Sequence, residues 1–359
     1  MNVWGNRVKM SIFGESHGMA VGIVVDGLPA GEVIDLDETA SDMRRRAPGH
    51  DELSTARRET DALEILSGLD GRKTTGSPVC CIIRNTDARS SDYDSHLRPG
   101  HADWTALLKF KGHADMRGGG HFSGRLTAPL VFAGSIAKQI LLRRGAEAYA
   151  RIVAIGPVSD ERTSPSIDEY REIARLGFPS FIGSADAMKN VIKEAKDAGD
   201  SVGGIVEAAV FGLPGGLGEP FFGSMESGIA SLLFSVPAVK GVEFGAGFRI
   251  AAMRGSEAND PLYVENGTIL TRSNHNGGIL GGITNGMPLI ARVAIKPTAS
   301  IALEQESVDS RTMSGTAIRV KGRHDPCIVP RAVPVIESCL AICSLDAMLA
   351  VSSNGVTPQ

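Results

Sequence analysis

The sequence predicts an α+β fold in which apolar helices lie inside and strands cover them. Two observations point there. Several runs between glycines have the β-branched character of strands: "VGIVVDGLP", "SPVCCIIRNTD", "SVGGIVEAAVFGLP" and "LIARVAIKPTASI". Three helical stretches, "APLVFAGSIAKQILLRRG", "SGIASLLFSVPAVKG" and "VPVIESCLAICSLDAMLAV", are apolar around most of their circumference, as buried helices are.

A fourth helix, "SADAMKNVIKEAKDAGD", shows the cleanest helical spacing, in Met188, Val191, Ile192 and Ala195. Ser184 or Asp186 is its expected N-cap and Gly199 its stop. Residues 156–185, with several Pro and Ser, read as a surface excursion. A faint echo between "SHGMAVGIVVDGLP" and "NHNGGILGGITNGMP" hints at two related halves. The 359 residues suffice for one large domain or two ordinary ones.

The net charge of -4 supplies no global field for nucleic acid or anionic lipid, so any anion site must be local. The five cysteines form no even framework and read as reduced thiols. Cys339 and Cys343 lie on one helical face. A zinc site with a distant histidine is the sharper reading of that pair, and burial as small hydrophobes is the better supported one. The amino terminus lacks the roughly 7 to 15 residue apolar run of a signal peptide, and no later stretch is expected to reach the roughly 18 apolar residues of a membrane span. A cytoplasmic protein is expected. Neither G-x-G-x-x-G between a strand and a helix nor the Gly-Lys of a Walker loop occurs.

Gly14-Glu15-Ser16-His17-Gly18 fits the G-x-S-x-G string of a serine hydrolase, but the next segment, "MAVGIVVDGLP", reads as a strand where that elbow needs a helix. His17 is then the residue of interest in this motif. "DMRRRAPGHDELSTARRETD" concentrates Arg44, Arg45, Arg46, Arg57 and Arg58, forks suited to carboxylates and phosphates. A solvated helix face is the competing reading, and the Pro-Gly break favours a loop. "HLRPGHADW" sets His101 beside Arg98 and Asp103. "MRGGGHFSGRLTA" puts three glycines and Ser123 before a helix, where backbone N–H groups could meet an anion. "KGRHDPCIVPRAVP" groups Arg323, His324, Asp325 and Arg331 before the last helix. Four of eight histidines lie in Gly-rich loops beside arginines, which packing alone explains poorly. The residues thus describe an enzyme for a small, multiply anionic substrate, with histidine and aspartate moving protons.

These clusters, together with "TTGSP", "NTDARSSDY", "GLGEP", "AVKGVEFG", "SNHNGGILGGITNG" and "KPTASI", resemble the chorismate synthase family from residue 5 to about residue 345. The resemblance implies a single domain over 1–359, with helices sandwiched between two antiparallel sheets, and a homotetramer. It implies a carbon–oxygen lyase of the shikimate pathway: 5-enolpyruvylshikimate 3-phosphate loses its 3-phosphate and a C6 hydrogen by anti-1,4 elimination, with reduced FMN required. NADPH is the implied reductant in members that reduce their own flavin. By analogy His17 is the acid at the departing phosphate, with Ser16 in support. His101 protonates or hydrogen-bonds the flavin, and Asp325 serves C6 proton removal. Flavin contacts carry over to His121, Phe122, Ser123, Ala238, Gly281, Lys296, Pro297, Thr298, Ala299, Ser300, Arg323 and Arg46. Substrate contacts carry over to Arg45, Arg46, Arg125 and Arg331. The chain departs from the family pattern at His121 and Leu126, in place of arginine and glutamate, at Pro237 in place of asparagine, and at Glu52. A non-catalytic flavin- or anion-binding homologue is the alternative.

Overall fold

The computed structural model describes residues 2–49, 61–86, 96–160, 162, 165–320 and 324–352. Expectations for Glu52, Arg57, Arg58 and Arg323 lie outside those residues.

The described residues build two five-stranded antiparallel sheets with helices between them. The first half contains β1 (Val3–Trp4), β2 (Lys9–Gly14), β3 (Ala20–Asp26), α1 (Leu36–Arg46), β4 (Leu63–Ser67), the hairpin β5 (Leu69–Asp70) and β6 (Lys73–Thr74), β7 (Val79–Arg84), α2 (Asp103–Phe110) and α3 (Thr127–Arg143). The second contains β8 (Glu147–Ile155), β9 (Val158–Ser159), α4 (Ile167–Arg175), α5 (Ile182–Asp197), β10 (Gly204–Phe211), α6 (Met225–Ser235), β11 (Val239–Phe244) and α7 (Gly255–Ala258). Three hairpins, β12–β13 (Leu262–Glu265, Thr268–Thr271), β14–β15 (Ile279–Leu280, Ile283–Thr284) and β17–β18 (Gln305–Asp309, Ser314–Ile318), flank β16 (Leu289–Ile295). The long α8 (Val329–Ser352) comes last.

Sheet order is β1-β2-β3-β7-β4 in one and β9-β8-β10-β16-β11 in the other. Inward residues alternate along the strands: Val79, Cys81 and Ile83 of β7 are buried while Cys80 and Ile82 are half-exposed. α3 lies under the first sheet, α6 and α8 under the second, α1 packs on α3 and α8, and α3 packs against α8 in the middle. That α3–α8 crossing is close at Gly134, where a Cβ would sit 2.1 Å from the Ser338 Cβ. The expected sandwich is therefore present, with two helical layers inside it. Cys339 and Cys343 are buried in this core, and burial pushes the Cys339 thiol up to about 12.

In four places the structure differs from the expectations above. The N-cap of α5 is Phe181, three to five residues before Ser184 and Asp186. "SGIASLLFSVPAVKG" is not one helix: α6 stops at Ser235, ahead of Pro237, and β11 begins at Val239. Residues 156–185 contain α4, capped by Ser166 and Glu169, whose Tyr170 and Ile173 are buried on the outer side of the second sheet. Val329–Val351 is apolar and long enough to cross a membrane by length and composition, and 83% of its most apolar window is buried inside the protein.

The two halves are related, but through different segments from those the echo paired. Gly27-Leu28-Pro29-Ala30-Gly31 after β3 matches Gly212-Leu213-Pro214-Gly215-Gly216 after β10, and the hairpin before β7 matches the hairpin before β16. The bonds repeat as well. Gly31 N–H donates to Thr74 O at 2.8 Å and Gly216 N–H to Thr284 O at 2.8 Å. Thr74 Oγ1 donates to Pro29 O at 2.6 Å and Thr284 Oγ1 to Pro214 O at 2.7 Å. The corresponding helices, α1 and α6, both have 11 residues. They end in Arg46-Ala47-Pro48-Gly49 and Ser235-Val236-Pro237-Ala238, with φ 87° at Gly49 and 72° at Ala238.

Candidate active site

A cavity of about 1070 Å³ opens where the halves meet. The C-terminal ends of α1 and α6 and the N-terminal ends of α3 and α8 all line it. Two helix N-termini thus bring the positive ends of their dipoles to one space, which suits anions.

His17 reaches the cavity from the turn between β2 and β3, which are antiparallel neighbours. Strand–turn–strand is the wrong frame for a hydrolase elbow, and Ser16 is fully buried. Ser16 Oγ lies 3.1 Å from His17 Nδ1, and Ser16 N–H donates to Gly120 O at 3.1 Å. The role of the glycine triplet is steric. Gly118 packs flat against the ring, and a Cβ there would stand 2.0 Å from His17 Cε1. One at Gly119 would stand 3.2 Å from His101 Nε2.

The floor is cationic. Arg46, Arg125 and Arg331 line the cavity, and buried Asp61 grips the first two. Arg46 Nη2 donates to Asp61 Oδ2 at 2.8 Å, and Arg125 Nη1 donates to Asp61 Oδ1. Burial works against the Asp61 carboxylate, but the two guanidinium groups outweigh it and hold its pKa below the ordinary range. Burial, with Arg331 and Arg125 nearby, lowers Arg46 to about 10, so it remains a cation at neutral pH. Arg331 Nε donates to Arg46 O at 3.0 Å, while its Nη1 holds Asp325 at the cavity wall.

His101 enters from the turn before α2. Its Nδ1 lies 2.6 Å from Asp103 Oδ1, and Arg98 donates to both oxygens of Asp103 at 2.8 Å. Burial opposes ionisation of Asp103, yet these two partners hold its pKa far below the carboxylate range. An ionised carboxylate only accepts, so Nδ1 carries the hydrogen and Nε2 is the nitrogen left for chemistry.

The second half supplies the other wall: Pro237, Ala238, Lys296, Pro297, Thr298, Ala299 and Ser300, facing Phe122 and Ser123. Ser123 Oγ accepts from Arg125 N–H at 3.2 Å, and Lys296 Nζ donates to Gly100 O beside His101. Thr298 Oγ1 is buried and has no hydrogen-bond partner among the described residues. His121 lines the cavity too, its Nδ1 2.9 Å from Gly14 O.

Two expected contacts fall elsewhere. Arg45 turns away into a bidentate pair with Glu337 (2.8 and 3.0 Å), beside Asp42 and Lys138. Gly281 sits in the β14–β15 turn, outside the cavity lining. Sequence reasoning missed Asp61 and Asn85. They lie inside the motifs "TARRETD" and "NTDARSSDY", but an isolated carboxylate or amide carries no periodicity to mark it.

A family model described as Chorismate synthase matches residues 8–349. A protein of Thermococcus gammatolerans described as chorismate synthase is 48% identical over 351 residues, covering 96% of this chain and 97% of that protein. One of Dehalococcoides mccartyi with the same description is 43% identical, covering 100% and 98%. A solved structure, "Crystal Structure of Chorismate Synthase", superposes with a TM-score of 0.76 at 29% identity, covering 96% of this chain and 93% of its own. The chain belongs to the chorismate synthase family.

Proposed function

We propose that this cavity turns 5-enolpyruvylshikimate 3-phosphate into chorismate and phosphate through a division of labour among its residues. Arg46, Arg125 and Arg331 hold the anionic groups of the substrate. His17, oriented by Ser16, protonates the departing phosphate. Asp325, gripped by Arg331, serves removal of the C6 proton. His101 presents Nε2 from the opposite side, its Nδ1 fixed by Asp103. The observation that supports this most is the convergence of His17, His101, Asp325 and three arginines on one cavity, from segments spanning residues 17 to 331. Each proton-transfer group contributes roughly 10²- to 10⁴-fold.

A reduced flavin bound here would supply transient electron density to help phosphate leave. The residues present fit such a group. The cavity exceeds the roughly 300–1,000 Å³ of a single-ligand pocket. Its second-half wall is largely apolar, and the Thr298 hydroxyl and the Lys296 ammonium are available to a polar ring edge or a phosphate. On this reading Phe122, Ser123, Ala238 and Lys296 through Ser300 hold the flavin.

The exposed Phe221, Phe222 and Phe248 support association of copies, in keeping with a homotetramer in the cytoplasm. The deciding experiment supplies purified protein with anaerobically reduced FMN and the enolpyruvyl phosphate substrate. Phosphate and chorismate should appear together. Flavin binding without turnover would establish the non-catalytic alternative. Anaerobic NADPH oxidation with FMN then tells whether the chain reduces its own flavin.

A further inference from the structure

We infer that Asn85 is a positioning residue that ties the His17 turn to the arginine floor, so that proton donor and anion site keep one geometry. Asn85 comes directly after β7. Its Nδ2 donates to Glu15 O at 3.0 Å and to Gly18 O at 2.9 Å, bracketing His17 on both sides. Its Oδ1 accepts from Arg125 Nε at 2.9 Å, and its backbone N–H donates to Met19 O at 3.2 Å. Two carbonyls on one side and a guanidinium on the other fix which way the amide points.

From Arg125 the chain of bonds continues without a break. Arg125 Nη1 donates to Asp61, Arg46 Nε donates to the same carboxylate at 3.1 Å, and Arg331 Nε donates to the Arg46 carbonyl before reaching Asp325. Asp61 adopts φ 47°, in the left-handed region that Asp and Asn enter more readily than other side-chain-bearing residues. Asn85 therefore joins the acid's turn to a bonded path that ends at the aspartate on the other side of the cavity.

The duplicated half provides an internal control. With Thr74 matched to Thr284 and β7 to β16, Asn85 corresponds to Ile295, which is buried and apolar. The scaffold does not need an amide at this position, so the amide answers a requirement of the first half alone, where the His17 turn lies.

The inference rests on the proposed role of His17, and the test separates the two. Asn85→Ala should lower kcat at least about 10-fold with an unchanged circular dichroism spectrum. In a His17→Ala background the same change should cost less than about 2-fold, because the turn it positions no longer carries an acid. Asn85→Asp keeps an acceptor for Arg125 and sets a carboxylate against the Glu15 and Gly18 carbonyls. It should lower kcat while leaving KM for the substrate within about 3-fold. Full activity of His17→Ala removes the acid assignment and this inference together. An impaired His17→Ala whose loss simply multiplies with that of Asn85→Ala, or a normal kcat in Asn85→Asp, removes this inference alone.

Discussion

The ends of α1 and α6 are the same piece of architecture put to opposite uses. Each helix runs for 11 residues, turns at an X-Pro whose proline lines the cavity, and passes through a left-handed residue. At the final helical position the first half has Arg46, bound to Asp61, and the second has Ser235, with the apolar Val236 and Pro237 next in the chain. One half thus presents charge to the cavity and the other a largely apolar wall, which on the proposed reading serve an anionic substrate and a planar ring. A duplicated scaffold supplies the shape, and a few side chains at matched positions divide the chemistry.

Erasing that difference should cost the most. Arg46→Ser copies the second half into the first, and we expect kcat/KM for the substrate to fall on the order of 10³-fold, about 4 kcal/mol, as for truncation of a buried charge partner. Phosphate-release kinetics read this directly, and a loss under about 3-fold would contradict the assignment of the cationic floor.

The next effect is on stability. Glu337 reaches from α8 to Arg45 and Lys138 of the first half; burial pushes its pKa up, but the two cations outweigh burial and hold it well below the ordinary 4.5. A depressed folded value means that the stabilisation is complete above pH 4.5 and is lost as pH falls through the folded value. Glu337→Gln should therefore cost about 3 kcal/mol at neutral pH, with the gap from the parent narrowing below about pH 4.5 in denaturant titrations. A pH-independent gap would show that the ion pair is not its source.

His17→Ala and His101→Ala, both in the first half, should each lower turnover at least about 10-fold while the protein stays folded. Near-normal rates in both would undo their roles. The smallest effect belongs to Ala238, the left-handed counterpart of Gly49. Ala238→Gly should stabilise the chain by roughly 0.5–1 kcal/mol in thermal unfolding, since glycine relieves the strain but frees the unfolded chain. A lowered melting temperature would show that the Ala238 methyl packs more than it strains.

The sandwich could be read from the sequence because its evidence is local: helices apolar all round have to be buried, and glycine-bounded β-branched runs make strands. His17, His101, Asp325, Arg46, Arg125 and Arg331 were found through motif strings, and the structure brings them to one cavity. What could not be read depends on distant partners. Arg45 and Arg46 are adjacent and alike in sequence, yet helical geometry aims one at Glu337 and the other at Asp61. The echo went astray because Gly-rich strings resemble one another by composition, whereas the true repeat is defined by threonine hydroxyls and carbonyls 45 and 70 residues apart.

α8 is at once the central helix of the core and, at its first turns, a wall of the cavity, and it follows every other described element in the chain. A growing chain therefore cannot complete this cavity until the first turns of α8 have emerged. A ligand that spans that cavity touches both halves, so its binding energy is linked to unfolding of the whole molecule and should protect the two halves from protease together.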